Sequence, residues 1–214
     1  MLAVHVVLVV VALFVWVEIV ARVAIALGWR VPCPFAVRFI LTSPLRRWVA
    51  GPKWTFDKVR LEPGTTALEL GTGAGALSVE AASRLGDGGF LVGVDIQPAM
   101  LRETRKRLDT AGVRNAALVC ADAQALPFKP GVLDAVFLVT VLGEIPDVRR
   151  AVSEIRGALA EGGVFSVTEI VPDPHYCRPS TVRRLMLDGG FDPEPTSGMP
   201  MAYTIRGTKS QTGG

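Results

Sequence analysis

Apolar positions along the chain follow two patterns. Residues 1–17 (MLAVHVVLVVVALFVWV) form a nearly unbroken apolar run without formal charge, His5 being the one titratable side chain. Beyond residue 60 the apolar residues come as short runs separated by amphipathic stretches and Gly/Pro/Asp punctuation. The runs read as strands over 66–71, 90–95, 116–121, 135–140 and 164–168, because short β-branched and apolar segments bounded by turn residues fit buried strands. Between them, helical periodicity predicts helices reaching Leu85, from Pro98 to Ala111, from Val148 to Ala160 and over 179–188. Gly86-Asp87-Gly88-Gly89 reads as a turn, Gly162-Gly163 as a turn into the fifth strand, and 191–192 with 202–207 as a hairpin-like end. Strands alternating with helices predict an α/β fold with a doubly wound, mostly parallel sheet.

The amino-terminal run changes the picture. Seventeen residues of helix rise ~25 Å, and continuing to Trp29 gives ~43 Å, bracketing a hydrocarbon core of ~30 Å. One transmembrane helix over 1–29 is therefore expected ahead of the α/β domain. A cleaved signal peptide fits less well, since no Lys or Arg precedes the apolar run. Residues 1–50 hold five arginines (22, 30, 38, 46 and 47) against Glu18, while the remaining residues are close to neutral. All five arginines follow the apolar run, so the positive-inside rule puts the carboxyl-terminal domain in the cytoplasm. Glu18 and Arg22, four apart, face each other on one turn and read as a neutralised pair at the inner interface. Residues 30–54, broken by Pro32, Pro34 and Pro44, read either as a segment lying on the bilayer surface or as a linker packed on the next domain. The domain itself is assigned to 55–209 and a frayed tail to 210–214.

Charge and cysteines narrow the classes further. Net basicity confined to the juxtamembrane arginines points to anionic lipid headgroups as partner and away from nucleic acid. Cys33, Cys120 and Cys177 are an odd number without C-x-x-C spacing, fitting reduced thiols and no metal site.

Candidate chemistry is concentrated at Glu69-Leu70-Gly71-Thr72-Gly73-Ala74-Gly75, between the first strand and a helix. Glycines at alternate positions allow a sharp turn and close approach of a ligand to main-chain N–H groups. The spacing is not the dinucleotide G-x-G-x-x-G, and no phosphate-cradling G-x-x-x-x-G-K-[ST] is present. Carboxylates take the positions instead: Glu69 before the loop, Asp95 at the tip of strand two and Asp122 at the tip of strand three. Three acids and no phosphate-binding cation suit an adenosine carrying a positive centre. The plainer roles for Asp95 and Asp122 are a helix cap and a turn closure.

At this point the chain resembles the class I S-adenosylmethionine-dependent methyltransferases, in particular the ubiquinone/menaquinone methylase-like (methyltransferase type 11) branch. The resemblance rests on ALELGTGAG (67–75), LVGVDIQPAM (91–100), VCADAQALPF (119–128), LDAVFLVTVLGEIPD (133–147) and LAEGGVFSVTE (159–169), in family order and spacing over roughly residues 55–208. It implies a seven-stranded Rossmann-like sheet and S-adenosyl-L-methionine as cofactor. It places Gly71, Thr72, Gly73 and Gly75 under the methionine portion, with Glu69 near its amino group. Asp95 falls on the ribose, Asp122 and Ala123 at the adenine edge, and Ile96 and Thr140 beside the cofactor.

The acceptor should lie beyond strands four and five, near 140–146 and 169–176. His175 is the expected general base, with Asp173 or Glu144 as an orienting or substitute carboxylate; the alternative is a loop histidine that only caps a turn. Thr140-Val141-Leu142-Gly143 lacks the Asn/Asp-Pro-Pro-aromatic pattern of nucleic-acid amino-methylases, which argues against a flipped base. The sequence thus predicts a single-pass, cytoplasm-facing membrane methyltransferase acting on a lipophilic small molecule such as a prenylated quinol or phenol. A phospholipid-headgroup N-methyltransferase and a non-catalytic cofactor-binding membrane protein are the alternatives. Oligomeric state is not legible.

Overall fold

The computed structural model describes His5 and residues 51–171, 173–199 and 202–210. The anchor expected over 1–29, most of the 30–54 segment and the tail after Ser210 lie outside the described residues. Among the described residues no helix is long and apolar enough to cross a membrane.

In chain order the elements are α1 (Pro52–Val59), β1 (Thr66–Leu70), α2 (Ser78–Leu85), β2 (Phe90–Asp95), α3 (Pro98–Thr110), β3 (Ala116–Cys120) and β4 (Leu133–Val139). A 3₁₀ turn (Leu142–Glu144), α4 (Val148–Ala158), β5 (Leu159–Ile170), α5 (Pro179–Asp188), β6 (Phe191–Pro193), β7 (Ser197–Met199) and β8 (Ala202–Lys209) follow. The sheet order is β3-β2-β1-β4-β5-β8-β6, with β7 also paired to β8. β1 to β5 run parallel and β8 antiparallel to β5. The expected doubly wound, mostly parallel sheet is present. Its count differs from seven because the last edge position is split: β6 pairs with 207–209 of β8 and β7 with 202–204.

The strand order reverses between β1 and β4, and this opens a crevice at their carboxyl ends. Period-two alternation divides the core. Leu68, Leu70, Val136 and Leu138 pack beneath Val152 and Ile155 of α4, while Ala67 and Phe137 face Phe56, Ala81 and Leu85 on the other side. Phe56 is fully buried, edge-on to Phe137 at 5.4 Å, with the Arg84 guanidinium over its ring. α1 is thus part of the domain's packing, and the boundary expected between 54 and 55 falls inside this helix.

Two local expectations differ. Gly162-Gly163 is not a turn into a strand but lies within β5, which already begins at Leu159. The register shifts between Leu133 and Ala135 of β4, opposite Leu159 and Val164, as a bulge with Gly162 at φ +74°. Thr140 is not the last residue of β4: the strand stops at Val139, and Thr140 turns left-handed with φ +55°.

Candidate active site

β1 delivers the first functional group. Residues 67 and 69 share one face of the strand, so Glu69 points toward α2, where Ser78 Oγ donates to its Oε2 at 2.6 Å. Glu69 is 3% exposed. Burial pushes its carboxyl up to about 8; the Ser78 hydrogen bond opposes this and the charge of Asp95 adds to it.

The glycine loop then turns with Gly71, Gly73 and Gly75 all at positive φ. Gly71 N–H and Thr72 N–H donate to Val94 O at 2.7 and 3.1 Å, tying the loop to the end of β2. A Cβ at Gly71 would press into Val141, and one at Gly75 would come within 2.9 Å of the Thr104 backbone. The first contact keeps the cleft floor open, whereas the second seats the loop on α3. Gly75 accordingly does not line the cleft. Buried Thr104 completes the support, its Oγ1 donating to Gly73 O at 2.9 Å. The sequence reading passed over Thr104, although its place between Met100 and Leu108 at four-residue spacing marks the buried stripe of α3.

Asp95 ends β2 and is 8% exposed. Gly73 N–H donates to its Oδ2 at 2.8 Å and Gln97 N–H to its Oδ1 at 2.9 Å. Burial raises its carboxyl above the usual range while those two N–H groups pull it back. Asp122 is held the same way: Gln124 N–H donates to Oδ1 at 2.8 Å, and the Gln124 amide reaches both oxygens at 3.1 Å. Gln124 Oε1 in turn accepts from Asp147 N–H at the start of α4. Both aspartates therefore make the turn contacts that are their plainer role and also face the cleft.

The cleft holds about 270 Å³. Glu69, Gly71, Thr72, Gly73, Asp95, Ile96, Asp122, Ala123, Thr140, Glu144 and Asp173 are among the residues that line it. Among the described residues that line it, five are acids and none is Lys, Arg or His. His175 is not among them. Its backbone lies against the 3₁₀ turn, so close that a Cβ on Gly143 would meet His175 O. His175 N–H donates to Asp173 Oδ1 at 2.7 Å, and its Nδ1 lies 3.9 Å from the same oxygen. The histidine thus backs the loop that carries Asp173 to the cleft. Cys120 and Cys177 are free thiols, and no group of metal-ligating side chains is assembled among the described residues.

This donor set discriminates between ligands. A pyrophosphate would meet carboxylates on every side, whereas a sulfonium-bearing nucleoside would find hydroxyl acceptors at Asp95 and favourable charge along the walls.

The comparisons agree with that geometry. Residues 67–163 match the family of methyltransferase domains. A demethylmenaquinone methyltransferase of Thermus thermophilus is 33% identical over 142 residues, 65% of this chain and 64% of the relative. A ubiquinone/menaquinone biosynthesis C-methyltransferase of an Enterobacter species is 32% identical over 118 residues, 55% of this chain and 47% of the relative. The chain thus spans between about half and just under two thirds of the length of these relatives. The crystal structure of an S-adenosylmethionine-dependent methyltransferase from Aquifex aeolicus superposes with a TM-score of 0.78 at 16% identity, covering 83% of this chain and all of that one, a likeness of fold. The described domain thus matches methyltransferase domains over residues 67–163 and shares the fold of a solved S-adenosylmethionine-dependent methyltransferase. S-adenosylmethionine is the cofactor its cleft accommodates.

Proposed function

We propose that the protein is a membrane-anchored methyltransferase whose acceptor is a lipophilic small molecule, a prenylated quinol or phenol being the favoured class. One observation carries this reading. Gly51, directly ahead of α1, is buried and lines the cleft. The apolar and arginine-bearing residues 1–50 therefore join the domain at the cleft wall, and an anchor there would hold the opening toward bilayer-borne substrate. The two quinone-pathway relatives support the same class.

When bound, S-adenosylmethionine supplies a methyl group already activated on a sulfonium with a neutral thioether as leaving group. The chain's own contribution is alignment and proton handling. Glu69, Asp95 and Asp122 bind the amino, ribose and adenine portions, and Thr72 with the glycine loop supplies the floor. Glu144 and Asp173 line the same cleft, and we assign them the proton that the acceptor loses. A phospholipid headgroup fits less well, because its phosphate would find no basic side chain among the described residues of the wall.

The test is transfer of label from methyl-labelled S-adenosylmethionine into a host membrane lipid extract by detergent-purified protein, beside Asp95→Ala. Label in the organic phase with wild type alone, migrating with quinones, supports the proposal. Cofactor binding without transfer to any lipid would overturn it in favour of a water-soluble acceptor or a non-catalytic role.

A further inference from the structure

The stretch that follows β3 carries a side-chain amide whose orientation is fixed from two directions. Gln124 donates its own N–H to Asp122 Oδ1 at 2.8 Å, and its Nε2 donates to both Asp122 oxygens at 3.1 Å. Its Oε1 accepts from Asp147 N–H at 3.0 Å. The reverse orientation would set an amide oxygen against a carboxylate and an NH₂ group against an N–H, losing every one of these side-chain bonds. Asp147 in turn caps α4, its Oδ1 accepting from Arg150 N–H at 3.0 Å. α4 follows directly on the turn that carries the cleft-lining residues Thr140, Glu144 and Pro146.

The same stretch is fastened to α4 a second time. Glu154 Oε2 accepts from Leu126 N–H at 3.0 Å, and the Leu126 side chain is buried in the core. Glu154 holds the backbone of the stretch, whereas Gln124 holds the Asp122 carboxylate. A carboxylate is free to turn about its last torsion and offers about four lone-pair directions. Gln124 makes two contacts to Oδ1 and one to Oδ2, so Oδ2 is the less occupied oxygen of a group that lines the cleft. An oxygen held in this way accepts from an N–H donor and repels a carbonyl.

We propose that Gln124 is a positioning residue for base recognition: it aims Asp122 at the exocyclic amine of the cofactor's adenine, and through Asp147 it ties that contact to the start of α4. The inference rests on the placement of adenine at Asp122 in the reading above. It deepens that reading by assigning the choice of an amino purine over an oxo purine to a residue that acts through Asp122. Seating the base adds a donor to the carboxylate, and the chain from base to Asp122, Gln124 and Asp147 is then held at both ends. Cofactor binding thereby firms the start of α4, next to the turn that lines the cleft.

Two measurements on the full chain in detergent test this. The first is calorimetric titration with S-adenosylhomocysteine and with S-inosylhomocysteine, which differ in an amino against an oxo group on the purine. The ratio of their affinities cancels whatever the homocysteine portion contributes. Wild type should prefer adenine by ~10–100-fold, the weight of one charge-assisted hydrogen bond. Gln124→Met keeps the length and removes the amide, and should cut that preference by about tenfold. Gln124→Glu still accepts from Asp147 N–H but turns a carboxylate onto Asp122. Its preference should be lost at pH 8 and return toward pH 5, as the pair takes up a proton that a merely structural role would not register. Glu154→Ala should lower the melting temperature and leave the preference intact. Preference kept in Gln124→Met but lost in Asp122→Ala overturns the proposal and leaves adenine at Asp122, as does a preference that Glu154→Ala loses equally. Preference kept in Asp122→Ala overturns both. In the second measurement, hydrogen exchange at the Asp147 amide should slow when S-adenosylhomocysteine binds wild type and stay fast in Gln124→Met. Exchange in wild type that ignores the ligand overturns the tie to α4.

Discussion

A Cβ on Gly71 would stand 2.4 Å from Cγ2 of Val141. This pair joins the cofactor loop after β1 to the acceptor turn after β4 across the point where strand order reverses. Val141 reaches that position because Thr140 adopts φ +55°, an unusual conformation for a β-branched residue, held by its N–H donating to Thr168 O at 2.8 Å. Gly71→Ala should therefore fail on two counts, its own φ of +78° and the collision. A loss of ~1–3 kcal/mol is expected in urea unfolding, with weaker cofactor binding. Val141→Ala in that background should restore part of the stability but not the backbone share.

Asp95→Asn retains size but loses the charge that accepts the Gly73 and Gln97 N–H groups. Charge-assisted hydrogen bonds contribute ~1.5–3 kcal/mol, so cofactor affinity should drop ~10–100-fold. Calorimetric titration checks this, and an unchanged dissociation constant would remove Asp95 from the binding set.

Glu69 and Glu169 make stability depend on pH in a defined direction. Each carboxyl is raised from an ordinary 4.5 to about 8 in the folded protein. Below 4.5 both folded and unfolded states hold the protons. Between 4.5 and 8 the folded state holds more, so stability falls as pH rises, and above 8 the dependence vanishes. The melting temperature should be higher at pH 5.5 than at pH 8, and Glu69→Gln should flatten the slope.

Cofactor binding should also release a proton from Glu69. A cation brought beside a buried, protonated carboxyl favours its ionised form. Binding enthalpies measured at pH 7 in buffers of different ionisation heat should differ in wild type and coincide in Glu69→Gln. Coincidence in wild type would place the cofactor's ammonium elsewhere.

His175→Ala should lower turnover far less than the ~10²–10⁴-fold that removal of a general base costs, since the imidazole backs the Asp173 loop and does not line the cleft. A loss of that full size, with the fold intact by circular dichroism, would restore His175 as the base.

Phe56→Ala should destabilise the domain by ~3–5 kcal/mol, as the ring is fully buried against Phe137 and under Arg84. Thermal unfolding of the full chain checks it.

Sequence alone determined the elements whose signals are local. The strand-glycine-helix unit at 66–85, the carboxylates at the tips of β2 and β3, and the succession of strands and helices all follow from periodicity and turn chemistry between near neighbours in the chain. The cofactor wall was legible for the same reason, since a parallel sheet brings successive strand ends to one edge wherever they lie in sequence. The tertiary structure decided what depends on contacts between distant residues. The left-handed Thr140 rests on a hydrogen bond to β5, the bulge at Gly162 on the register with β4, and the split edge on two short strands sharing β8. His175 reads from the sequence as the base because it is the catalytic domain's single imidazole, but packing against Gly143 turns it behind the wall. Glu169 reads from the sequence as the first residue beyond the fifth strand, whereas β5 runs on to Ile170 and buries it opposite Tyr203 of β8.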